Sequence, residues 1–388
     1  MATSSTLNES YSVLQANVTA SNIPGSNCNQ EQIYSTTVKI EQYALPVICI
    51  FGLIGNSLSS ITFFKRPLRR APCSLYLAIR GLSDNGFLLS LLLTWVSSTF
   101  DLRLSQVRGV CQTIILMTFV CGCVSVWLCV FITFENFMLI QNPMIARRFC
   151  CSFVSKLCSI ALVVFAVAIY SMSLLIMNGD CSPNREYTGY TQILVYTDTL
   201  LTLVIPIGII FVLMTVIAYK VIKIIHIRRL HSVYTKQVAT ETSNGTSVKR
   251  RVIPIAKVTK MLFVVSLVFV SLNVPSHVIR LLILVGNFTQ GHSTTTVTLA
   301  TIQHAFQILY YLSFSINIIV YAVFGSNFRN MFRKTFCHYV APTVSTQVQT
   351  EAVNTVRHRH RSVTDQPDFT CPDLTLLVPQ IDRRCHSH

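Results

Sequence analysis

Charge is scarce in this chain: Asp, Glu, Lys and Arg make up 12% of its 388 residues, while 51% are hydrophobic. Acid is scarcer than base, with 15 residues against 31. A water-soluble domain covers its exterior with charge at about twice this frequency, so one large soluble fold is excluded. Catalytic signatures are absent as well. No phosphate loop, zinc-ligand spacing or nucleophile motif is present, which points away from an enzyme. The first 40 residues lack the apolar segment of a cleavable signal peptide, so the first membrane span is expected to serve as the insertion signal.

What the chain does have is seven apolar stretches, each about 20 residues or longer. They run over Tyr43–Phe64, Cys73–Val96, Val110–Phe134, Val154–Met177, Ile193–Ile225, Val258–Val285 and Val297–Phe324. Mean hydropathy of +0.53 says the same in bulk. The fold class that follows is an all-α membrane protein, a seven-transmembrane helix bundle. Residues 1–40 read as an extracellular tail, 41–338 as the bundle with a short amphipathic eighth helix, and 339–388 as a disordered cytoplasmic tail.

The net charge of +16 takes its meaning from its distribution. Lys65, Arg66, Arg69 and Arg70 follow the first span, Arg147 and Arg148 the third, and Lys220 to Lys260 the fifth. The opposite loops carry few cations, diluted by Glu9, Glu31, Glu41, Asp101, Asp180 and Glu186. Basic loops stay in the cytosol, which places the amino terminus outside and the tail inside. No basic segment stands apart from the membrane, so nucleic acid is not an expected partner. Sequons at Asn8, Asn17 and Asn287 all fall on the outer side of this topology and are candidate glycosylation sites.

Of 14 cysteines, Cys28, Cys111 and Cys181 are the outer ones. Cys111 opens the third span and Cys181 lies between the fourth and fifth. A Cys111–Cys181 bridge is the expected pairing, while arithmetic alone leaves Cys28–Cys111 and Cys28–Cys181 open.

Several residues in their spans are similar to those of rhodopsin-like (class A) G-protein-coupled receptors. They are Gly55-Asn56, Leu77-Ala78, Asp84, Cys111, Glu135-Asn136-Phe137, Pro206, Leu272-Asn273-Val274-Pro275 and Asn317-Ile318-Ile319-Val320-Tyr321. The run from Asn273 to Arg280 most resembles invertebrate neuropeptide receptors of the thyrotropin-releasing-hormone-like or FMRFamide-like kind. The resemblance covers about residues 40–340. It implies an extracellular peptide ligand, a heterotrimeric G protein as partner, and arrestin-like proteins at the phosphorylated tail. It also implies a sodium ion at Asp84, with Asn56, Ser125, Ser313 and Asn317 as neighbours. A hard cation suits these oxygen-bearing side chains.

The chain departs from the family pattern at its switch. Glu135 is followed by Asn136 where relatives carry arginine, and Met214 stands at the fifth-span tyrosine position. Cys111 and Glu135 are 24 residues apart, about 36 Å of helix, so this pair lies at the cytosolic mouth. Glu135 is expected to pair instead with Arg147, Arg148, Lys257 or Lys260. Asn273 replaces a tryptophan, and Ile318 replaces a proline, from which a straighter seventh helix is expected. Pro206, Val126 and Phe269 keep the apolar connector, and Tyr321 is retained.

Ligand class narrows by elimination. The third-span position that holds an aspartate in amine receptors is Thr118, and no lysine lies in the seventh span to carry retinal. The candidate ligand-binding residues are Trp95, Thr118, His277, Arg280, Gln303, His304, Gln307 and Tyr311. Arg280 is the strongest of them, because a guanidinium makes charge-assisted bonds to peptide carbonyls or carboxylates. After the seventh span, Asn327–His338 reads as an amphipathic helix on membrane lipids, ending at Cys337, a candidate palmitoylation site. Two alternatives carry specific tests: a non-signalling receptor of the same fold, and a chemosensory receptor or transporter.

Overall fold

The computed structural model describes residues 28–66, 68–70, 72–100, 102, 107, 109–142, 146, 152–176, 188–238, 253–290 and 297–337. Within them the chain is helical, with no strand. Helix α1 is Cys28–Phe64, α2 is Pro72–Thr99, α3 is Val110–Gln141 and α4 is Ser152–Tyr170, extended past a turn by Met172–Ile176. Helix α5 joins Thr188–Thr199 to Ile205–Val238 through a π turn at Leu200–Val204. Helix α6 is Ile253–Gln290, α7 joins Val297–Ser315 to Asn317–Phe324, and α8 is Ser326–Phe332, continued by a π turn at Arg333–Cys337.

In lipid a backbone must satisfy its own polar groups, so long apolar runs become helices with apolar side chains on the outside. Val47 and Ile54 of α1 are 67% and 58% exposed, and Phe153, Leu157, Ile160, Val164 and Phe165 form the outer face of α4. The inner face of α4 is Ser155, Ser159, Leu162, Ala166 and Tyr170, at intervals of three and four. Small residues on that face let neighbouring backbones approach. Five helices are long and apolar enough to cross a bilayer alone, and the bent α7 makes a sixth. Helix α2 is not among them, because Arg80, Asp84 and Asn85 lie near its middle. It packs against α1, α3 and α4, so those polar residues face protein. The central element is α3, which contacts α2, α4, α5 and α6 and buries residues along its length from Cys111 to Asn136.

Three expectations need correction. Helix α1 begins at Cys28, so the last part of the 1–40 segment is helical rather than a tail. From that extension the Tyr34 ring lies 5.8 Å from the His304 ring on α7, and just beyond it the Glu41 carboxylate lies 2.5 Å from His304 Nδ1. Asn287 lies in the last turns of α6, not in a loop.

The third correction is larger. Helix α7 bends by 54° between Ser315 and Asn317, although it has no proline there. Polar side chains do the work instead. Asn56 Nδ2 donates to the Phe314 carbonyl at 2.8 Å, drawing it out of the helical ladder toward α1. Ser313 and Ser315 bond back to the carbonyls three residues before them, at 2.7 and 3.2 Å. Such local bonds compete with the ladder and bend helices. Close approach of α1 permits this: a Cβ on Gly52 would lie 2.7 Å from that of Ser315.

Candidate functional site

The functional residues form a polar column through the bundle, in three layers. The middle layer is built on Asp84, which is fully buried. Ser125 of α3 donates to its Oδ1 and Asn317 Nδ2 of α7 donates to its Oδ2 at 2.7 Å. Its third partner is Arg80, one turn earlier on α2, whose Nε lies 3.8 Å from Oδ2. At that separation the attraction is about 4 kcal/mol for an effective dielectric of about 20. It offsets a desolvation cost of several kcal/mol per ion. The Arg80 guanidinium also lies 5.3 Å from the centre of the Phe269 ring on α6. Arg80 is 1% exposed and is among the largest fully buried side chains.

Three of the five expected sodium neighbours meet here: Asp84, Ser125 and Asn317. Asn56 spends its amide on Phe314, and Ser313 Oγ donates to Asn273 Oδ1 at 3.3 Å and to the Tyr310 carbonyl. These residues do not fit an added sodium ion. The carboxylate already has a guanidinium as its counter-ion and takes hydrogen bonds from Ser125 and Asn317, so an added cation would have to displace these donors. Sequence reasoning missed Arg80, although its spacing of four from Asp84 puts both on one helix face.

The inner layer is closed. Asn136 is fully buried and its Nδ2 faces the Thr259 carbonyl of α6 at 3.5 Å. One turn outward, Thr133 Oγ1 and Ser266 Oγ hydrogen-bond at 2.7 Å, again from α3 to α6. Glu135 is buried, and its Oε2 has no hydrogen-bond partner. The expected pairing with Lys260 does not form: Lys260 is exposed, with Nζ 6.0 Å from the Phe324 ring centre. Arg147, Arg148 and the Lys257 side chain lie outside the described residues. Tyr321 packs edge-on against Phe63 at 5.0 Å and beside Phe328 of α8 at 5.6 Å. Arg329 caps α7, donating to the carbonyls of Ala322 and Val323 at 3.0 and 2.8 Å. Of the expected connector residues, Phe269 and Val126 share a buried cluster with Cys129, Val130 and Ile210, with Met214 against it, and Pro206 is not part of it.

Between these layers, Asn273 Nδ2 bonds the Phe269 carbonyl at 2.6 Å, just before Pro275 in α6. Asn273 thus ties α6 to Ser313 of α7 by hydrogen bonds, at a position where an indole would act by bulk.

The outer layer centres on Tyr310, which sequence reasoning did not single out. Its ring lies 5.3 Å from His277 and 5.9 Å from the Arg280 guanidinium, both on α6. Gln307 accepts from Gln303 Nε2 at 3.2 Å and from Ser276 Oγ at 3.4 Å. Tyr311 lies beside Tyr310, with ring centres 5.9 Å apart. His277, Arg280, Gln303, Gln307 and Tyr311 therefore converge on one α6–α7 region. The other three expected ligand residues go elsewhere, His304 to the Glu41 carboxylate of α1. Trp95 donates its indole N–H to the Gln42 carbonyl of α1 at 2.8 Å, and Thr118 bonds Ser90 of α2 at 2.9 Å. A further acid was also missed: Asp198 of α5 accepts from the Tyr170 hydroxyl at 2.8 Å. A lone carboxylate inside an apolar run was the signal for it. Trp127 Nε1 donates to the Leu201 carbonyl within the α5 π turn at 2.9 Å.

Cys111 is buried and disulfide-bonded. Its expected partner Cys181, and the sequons at Asn8 and Asn17, lie outside the described residues. Cys337 ends the π turn that follows α8.

Comparison with known proteins agrees with this architecture. Residues 55–321 match the family model described as "7 transmembrane receptor (rhodopsin family)". The chain is 23% identical to the somatostatin receptor type 4 of Rattus norvegicus over 305 residues, covering 76% of this chain and 71% of that receptor. It is 24% identical to the allatostatin-A receptor of Bombyx mori over 354 residues, covering 85% of this chain and 90% of that receptor.

Proposed function

This chain belongs to the rhodopsin family of seven-transmembrane receptors, and from that membership we propose that it is a plasma-membrane receptor for a peptide, signalling through a heterotrimeric G protein. The amino terminus is outside and the tail inside, as the charge distribution supports. The peptide reading is supported by the relatives, both named as receptors for peptides in the sense of somatostatin and allatostatin-A. The single observation that carries it in this chain is the α6–α7 cluster of Arg280, His277, Gln303 and Gln307 around Tyr310. A guanidinium and two carboxamides answer the carbonyls and amides of a peptide backbone. No lone third-helix carboxylate is there to hold an amine, since Thr118 occupies that position.

In this reading a bound peptide draws on Arg280 and rotates the outer half of α6 about the Pro275 segment. The inner half of α6 then leaves α3, breaking the Asn136–Thr259 and Thr133–Ser266 contacts and opening a cytosolic cleft beside Tyr321. A Cys111–Cys181 bridge holds the outer loop over the pocket, Asn8 and Asn17 carry glycans, and Cys337 anchors α8 by a palmitoyl chain. Arrestin-like proteins bind the phosphorylated tail.

The test is a panel of neuropeptides applied to cells displaying the full chain, reading G-protein dissociation. A peptide response that Arg280→Ala shifts by about 10-fold or more in potency is expected, because a hydrogen bond to a charged group contributes about 1.5–3 kcal/mol. Full potency of that variant at unchanged surface level removes Arg280 from the pocket.

A further inference from the structure

We propose that Arg80 is a built-in cation: its guanidinium takes the place at Asp84 that a dissolved sodium ion would otherwise hold, so that this receptor does not respond to sodium. Four observations converge on it. Arg80 and Asp84 share one face of α2 at a spacing of four, with Nε 3.8 Å from Oδ2. The tether is a single helical turn, so the cation is always present at high effective concentration. Both side chains are buried, at 1% and 0% exposed, and a second cation entering there would meet a pair that is already neutral.

The surroundings are donors. Asn317 presents Nδ2 to Asp84 and Ser125 presents its hydroxyl. Arg80 Nε and Nη1 are themselves buried without a hydrogen-bond acceptor, so the Asp84 carboxylate is the counter-charge beside them. Two further expected neighbours turn away from the carboxylate: the Ser313 hydroxyl donates to Asn273 Oδ1 and the Tyr310 carbonyl, and Asn56 Nδ2 donates to the Phe314 carbonyl. Finally, the Phe269 ring covers the guanidinium from α6 at 5.3 Å, a cation–π contact that fixes the head in place. The resident cation therefore links α2 to α6, where a free ion would leave α6 untouched.

The experiment uses the purified full chain and sodium ion alone, without any peptide, so its outcome is independent of the ligand reading. Thermal unfolding midpoints are measured in matched concentrations of sodium chloride and choline chloride. For the wild type the two midpoints are expected to agree within about 1 °C. Arg80→Leu uncovers Asp84, and sodium is expected to raise its midpoint by about 3 °C or more, through mass action on the folded state. The double substitution Arg80→Leu with Asp84→Asn is expected to lose that gain. Arg80→Gln serves where the leucine variant does not fold, and the wild-type arm decides on its own where neither does. A wild-type midpoint that rises with sodium overturns the proposal. So does a folded Arg80→Leu or Arg80→Gln protein as blind to sodium as the wild type.

Discussion

At the scale of single residues, the departures from the family pattern are resolved by short polar contacts. Asn136 stands where relatives carry arginine, yet it remains at the α3–α6 seam and faces the Thr259 carbonyl. The stronger tie is Thr133 to Ser266 at 2.7 Å. Ser266→Ala removes it, and a bond of about 1 kcal/mol corresponds to roughly a fivefold rise in ligand-free G-protein activation. Basal activity in membranes from matched expression checks this, and an unchanged rate places the α3–α6 restraint elsewhere. Which residues would be polar was legible from the sequence, but which partners they choose was not. Glu135 could be placed at the opposite end of α3 from Cys111 by counting helix rise. That its Oε2 would be buried without a hydrogen-bond partner could not be counted from the sequence, because it depends on how the helices pack. Arg80 was legible in principle, as a cation four positions before a carboxylate, but it belongs to no motif. The link from Glu41 to His304 spans 263 positions and required the extra turns of α1.

At the scale of elements, α7 teaches most. The absence of proline argues for a straight helix, and the helix bends by 54°. The cause lies partly on another helix: Asn56 takes the Phe314 carbonyl, while serines bond backward on either side of it. Asn56→Leu is expected to cost about 1–3 kcal/mol, the penalty of a lost buried bond, and to lower the thermal midpoint of the purified receptor. A midpoint equal to wild type would mean that the bend is held without it. Glycine substitutions give a matched pair. At Gly52 a Cβ meets Leu88 Cδ1 at 2.4 Å and Ser315 Cβ at 2.7 Å, whereas at Gly208 nothing lies within 4 Å. Gly52→Val should destabilise by about 1–3 kcal/mol through overpacking. Gly208→Ala should be neutral or stabilise by up to about 1 kcal/mol through helix propensity. Equal midpoints for the two would contradict the α1–α7 contact. Boundaries were the least legible feature: apolar runs locate the part of a helix inside the bilayer, and α1 continues as a polar helix beyond it to Cys28.

At the scale of the whole molecule, the fold class was legible in the sequence because lipid imposes so few solutions. Seven apolar runs and one-sided basic loops lead to a helical bundle, and residues 55–321 match the rhodopsin-family model. Even α2, whose charges keep it from standing alone as a span, is placed by its neighbours. Cys111→Ser is expected to reduce surface display sharply, since loss of a native disulfide typically costs about 2–5 kcal/mol. Normal display and peptide binding would show that the bridge is dispensable. The proposed function has a peptide at the α6–α7 cluster opening an inner end closed by neutral contacts, with asparagine at position 136 sufficient for coupling. The most direct measurement is peptide-stimulated nucleotide exchange on a purified heterotrimer, with the full receptor in a lipid bilayer and Asn136→Arg alongside. The expected result is that an active peptide accelerates exchange through the wild-type chain. Peptide binding with exchange left at the receptor-free rate in the wild type, and restored only by Asn136→Arg, would contradict it.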